Sequence, residues 1–141
     1  MSDLYDEDIL LWSEHQAELL RRLAAGQPVN ERPDWANIIE EVESVGRSDL
    51  RAVQSLLLQA LLHILKARAW PDSPYVAGRA AEARLYRAQA RNAFSASMPQ
   101  QLDLARSYAD ALNATPARVD GQPPQAIAPD CPMTLDELLN V

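Results

Sequence analysis

An all-α fold is predicted from three observations. Apolar residues recur at steps of three and four over most of the 141-residue chain. No stretch alternates with period two for long enough to form a strand. Glycine and proline gather where the helical runs stop. With 48% hydrophobic and 23% charged residues, a chain of this length buries about 68% of its unfolded surface as one domain. The expected architecture, over residues 1–141, is a bundle of five main helices plus a short C-terminal helix after a Pro-rich segment.

The first helix is expected over about residues 5–25, where Tyr5, Ile9, Trp12, Gln16, Leu19 and Leu23 fall on one face. Asp6 and Asp8 suit its positive end, Arg21 and Arg22 its negative end, and Gly26 followed by Pro28 stops it. Gln16, set in an apolar stripe, needs a hydrogen-bond partner. The second helix, 34–46, opens at Pro33 and Asp34 and carries the stripe Trp35, Ile38, Ile39, Val42 and Val45. Gly46 either ends it, with Ser48 capping the next, or lies inside one longer helix at a cost of about 1 kcal/mol. The third helix, 48–69, is apolar almost all round, which places it at the centre of the bundle. Pro71 and Pro74 close it.

Residues 75–97 hold alanine and arginine at helical density, and a fifth helix, 100–113, puts Leu102, Ala105, Tyr108, Ala109 and Leu112 on one side. The Pro-rich connector 115–133 has five prolines and one glycine, and it is expected to wrap over the bundle. In the last helix, 135–140, Thr134 and Glu137 have capping-box spacing and Leu135, Leu138 and Leu139 are set to dock.

Composition removes several classes of function. A single cysteine, Cys131, excludes a disulfide scaffold, and with no activating neighbour it makes a poor nucleophile. No run approaches the roughly 18 apolar residues of a membrane span. The acidic start MSDLYDED lacks the positive charge of a signal peptide, so a cytoplasmic location is expected. Charge is uneven: residues 1–49 carry 12 acidic and 4 basic side chains (net −8), residues 50–98 carry 2 and 7 (net +5), and residues 99–141 carry 6 and 2 (net −4). A total of −7 argues against nucleic acid as the partner.

Few residues have chemical potential. Glu41 and Glu43 border the apolar stripe of the second helix, while Glu40 lies opposite its centre and Glu43 can reach Arg47 at i+4. His63 interrupts the third helix. If the second and third helices pack antiparallel, Glu41, Glu43 and His63 become candidate ligands for a divalent metal, with His15 as a further donor. No Glu-x-x-His string supports that, and no motif requires a cofactor. Arg84, Arg87 and Arg91 form one basic face, a candidate anion-binding site or simply a solvated surface.

The strings YDEDILLWSEHQAELLR, DWANIIEEVESVGRSD, LLHILK and CPMTLDELL span nearly the whole chain in that order. Together they resemble the small bacterial, notably cyanobacterial, proteins catalogued as domain of unknown function twenty-nine. That family usually has tryptophan in place of Ala67 or Arg68 and CPW in place of Cys131-Pro132-Met133, whereas here Trp70 comes later and Met133 replaces the aromatic. The resemblance implies an all-helical fold and no particular activity. Its matching polar residues are Asp34, Glu40, Glu41, Glu43, Arg47 and His63. The first functional reading is a non-enzymatic interaction module that binds a protein partner or a second copy. The alternative is a metal-dependent hydrolase in which Glu41, Glu43 and His63 hold the ion that activates water.

Overall fold

In a computed structural model, residues 3–125 and 127–140 are described. The helices are α1 (Leu4–Glu7), α2 (Ile9–Ala24), α3 (Trp35–Ala69), α4 (Val76–Ala93), α5 (Leu104–Ala114) and α6 (Leu135–Leu139). Among the described residues there is no strand, only an isolated bridge between Val119 and Gln122. No helix among them is long and apolar enough to cross a membrane. The residues group into two compact units, Met1–Arg47 and Ser48–Val141.

Two helix boundaries differ from the sequence expectation. The expected first helix is broken at Asp8, whose backbone leaves the helical region (φ −152°, ψ 88°). Its carboxylate accepts the Leu11 N–H at 3.0 Å while its own N–H bonds to Leu4 O at 2.8 Å. One short acidic side chain thus closes α1 and caps α2, because it offers the backbone an alternative to the helical ladder.

The expected second and third helices are one. Gly46 ends nothing, because a glycine stop needs a left-handed backbone. Such a φ is found at Gly26 (72°) and Gly121 (76°) and not at Gly46. Ser48 accordingly caps nothing and sits inside α3. Smaller shifts follow the caps: α4 stops at Ala93 because Phe94 is extended, and α5 starts at Leu104 because Asp103 accepts the Arg106 N–H at 3.0 Å. The capping box of Thr134 and Glu137 forms as its spacing predicts.

In Met1–Arg47 the buried residues include Trp12, Leu19 and Gln16. Tyr5 meets Trp12 edge to face at 4.9 Å between ring centroids. Gln16 finds its partner in the backbone: the Asp34 N–H donates to its Oε1 at 2.8 Å.

In Ser48–Val141 the core is built on Val53, Leu57, Leu61 and Leu65 of α3, against Ala90, Met98, Tyr108, Ala111, Leu138 and Leu139. Burying each leucine contributes about 1.5–3 kcal/mol. The connector is pinned at three points. The Gln125 N–H bonds to Ala69 O at 2.8 Å, the Trp70 indole N–H to Gln122 O at 3.0 Å, and the Tyr108 hydroxyl to Ala128 O at 2.6 Å. Just before these points, Asp120 and Gly121 both take positive φ, reversing the chain at Val119–Gln122.

Candidate functional site

The polar residues of the first unit form a scaffold around the start of α3. The Asp34 carboxylate accepts from the Asn37 amide at 2.7 Å and from the Trp12 indole at 3.0 Å, and these bonds hold it below the usual carboxyl range. The Tyr5 hydroxyl donates to Glu41 at 2.6 Å, which pushes its pKa up to about 12. His15 stands 2.6 Å from Glu31. Arg47 takes Glu40 at 2.7 Å and Glu43 at 3.7 Å, so these three come together on one exposed side of α3. Glu41 is turned away from them toward Tyr5.

The scaffold presents an apolar face that the sequence periodicity assigns to the core. Instead of being covered, Trp35 (41%), Ile39 (54%), Val42 (68%) and Val45 (64%) are exposed, and so are Ile9, Leu10 and Leu11 at the start of α2. By the helical period Trp35, Ile39, Val42 and Val45 share one stripe of α3, with Glu43 and Glu41 at its two edges. A scatter of single exposed apolar residues is ordinary, whereas here four stand in a row on one helix.

The metal arrangement weighed from the sequence needs two antiparallel helices, which do not form. Glu41, Glu43 and His63 lie on the same helix, with His63 about six turns beyond Glu41. Among the described residues, no three His, Cys, Asp or Glu lie close enough together to hold a metal ion.

His63 has another partner. Its Nε2 lies 3.1 Å from Glu82 of α4, its ring stacks on Tyr86 at 5.4 Å, and its side chain is 15% exposed. Nδ1 is buried without a hydrogen-bond partner. A neutral ring that donates Nε2–H to Glu82 leaves Nδ1 as a bare acceptor, whereas protonation strands an N–H there. Burial accordingly lowers the His63 pKa, Glu82 opposes the shift, and Lys66 and Arg79 add to it. The folded state binds its proton less readily than the unfolded chain, whose histidine titrates near pH 6.5. Stability from this site is therefore complete above about pH 6.5 and declines as pH falls toward the lower folded value. Urea midpoints measured from pH 7.5 down to 5.5 are expected to fall, and His63→Asn to flatten that slope.

The basic face of α4 is divided. The Arg87 Nε donates to Leu138 O at 2.8 Å, and its Nη2 to Glu137 O at 2.8 Å and Asn140 O at 3.2 Å. It thereby closes the carbonyl end of α6, as a cation at a helix C-terminus does. Arg84 instead lines a cleft with Arg87 and Arg68 of α3, and Arg91 sits in the last turn of α4. The part of Arg68 is not legible in the spacing of α4. The His63–Glu82 pair has a faint signal, since both residues stand equally far from the turn at residues 72 and 73, as facing positions on a helical hairpin do.

A family model described as Domain of unknown function DUF29 matches residues 4–141. The chain belongs to this family. Among solved structures, an alpha-helical protein of unknown function from Rhodospirillum rubrum is similar, with a TM-score of 0.65 and 26% identity over 99% of this chain and 91% of that one. It shares the all-helical fold with this DUF29 chain. No curated protein matches.

Proposed function

We propose that this chain is a protein-interaction module that takes a cationic amphipathic helix of another protein on the apolar face of Met1–Arg47. The observation that carries the reading is the exposed stripe Trp35, Ile39, Val42 and Val45 on α3. Its spacing is that of a surface meant for a helix, which seats anchors at matching intervals. Charge selects the partner. Residues 1–47 carry 11 acidic and 4 basic side chains, a net of −7, and carboxylates edge the stripe. A second copy brought face to face through the same surface would oppose −7 with −7, whereas lysine and arginine beside apolar anchors complement it.

The test is a fluorescence titration with a synthetic leucine–lysine amphipathic helix of about 20 residues and its leucine–glutamate counterpart. The lysine peptide is expected to bind, more weakly as salt rises, and the glutamate peptide not to bind. Ile39→Asp places a carboxylate inside the contact and is expected to weaken binding by at least about tenfold. Binding of both peptides alike, or no effect of Ile39→Asp, would overturn the reading. Loss of self-association in Ile39→Asp without any peptide binding would instead identify a second copy as the occupant.

A further inference from the structure

A separate cleft in Ser48–Val141 suggests a small-molecule site. Its volume is about 300 Å³, and Arg68, Arg84 and Arg87 line it together with Ile64, Ala83 and Met133. That size is at the lower end of ligand pockets, and an apolar floor with a few convergent polar groups is their usual make-up. No carboxylate is among its lining residues.

None of the three arginines has a carboxylate partner among the residues that line the cleft. Arg87 donates to the carbonyl oxygens of Glu137, Leu138 and Asn140, which fix its position without pairing it to a carboxylate. Arg68 and Arg84 have no ion-pair partner among the described residues. Glu82, the one acidic residue of α4, lies by the helical period on the side away from Arg84 and Arg87, and it is engaged with His63. A cleft between two helices lined by three arginines and by apolar side chains is matched by a ligand with one anionic end and an aliphatic body. A carboxylate suits the guanidinium fork, which it can accept in bidentate fashion.

We infer that the cleft between α3 and α4 binds an aliphatic monocarboxylate, its head on Arg68 and Arg84 and its chain over Ile64, Ala83 and Met133. The site is independent of the apolar face of Met1–Arg47. It also modifies the basic face expected from the sequence: Arg84 and Arg87 belong to it, and Arg68 of α3 joins them.

Calorimetric titration of the full chain with decanoate, decanol and inorganic phosphate tests the inference. Decanoate is expected to bind saturably, decanol and phosphate not to. Arg68→Gln and Arg84→Gln are each expected to weaken decanoate by about tenfold or more, as the loss of one charge-assisted hydrogen bond does. Both side chains are exposed, so the folded state is expected to survive, with unchanged far-UV circular dichroism as the check. If either variant unfolds, the decanoate–decanol comparison on the native chain still decides. Equal binding of decanol, preference for phosphate, or decanoate binding untouched in the folded double variant would each overturn the inference.

Discussion

Leu57→Ala is expected to destabilise the chain by about 2–5 kcal/mol, a large share of the 5–15 kcal/mol typical of a domain. Leu57 is 1% exposed and packs in the cluster that joins α3 to Tyr108, Ala111 and Leu138. Removing its three distal carbons forfeits their transfer free energy and opens a cavity. That cavity closes poorly, because the surrounding core is close-packed and relaxes only in part. Thermal unfolding should fall by on the order of 10 °C, at the roughly 4 °C per kcal/mol that lies between the values for smaller and larger domains. A loss below about 1 kcal/mol would mean that the packing around α3 is looser than described.

The second expectation concerns Gly46 and has opposite signs for two substitutions. Inside a continuous helix, Gly46→Pro removes the N–H bond to Val42 and drives its ring against that carbonyl, at about 3 kcal/mol or more. Gly46→Ala adds a methyl group that meets nothing within 4 Å. It should stabilise by about 0.5–1 kcal/mol, because alanine loses less backbone entropy. Had Gly46 been a left-handed helix stop, alanine would be the strained residue. Urea unfolding followed by far-UV circular dichroism separates the cases, and destabilisation by Gly46→Ala would contradict the single helix Trp35–Ala69.

The elements were largely legible in the sequence, and the reasons are local. Period, prolines and the Thr134–Glu137 pair are properties of short windows, so the regions of all six helices could be read from them. Gly46 and Asp8 were harder. A glycine in a helical run is a choice between two outcomes about 1 kcal/mol apart. A third aspartate in an acidic turn does not announce that its carboxylate will take the Leu11 N–H.

The sites were less legible because they depend on what faces what. The stripe Trp35, Ile39, Val42 and Val45 has the pattern of a core face, and periodicity reports an apolar face without reporting what covers it. Arg87 was readable as part of a basic face, but its acceptors are backbone carbonyls some 50 residues away, which no spacing encodes. The pairing of Glu41 and Glu43 with His63 presupposed a turn near Gly46, and the three residues lie in the one helix Trp35–Ala69. Gln16 was the exception: a polar side chain within an apolar stripe needs a partner, and Asp34 N–H supplies it.

The seat proposed for the partner is the apolar face of Met1–Arg47. Backbone amide chemical shifts of the full chain, recorded with and without the leucine–lysine helix, test it most directly. The expected shifts cluster at Ile9–Leu11 and Trp35–Val45, with the Trp35 indole among the largest. Shifts centred on Arg68, Arg84 and Arg87 instead, or none at saturating peptide, would contradict it.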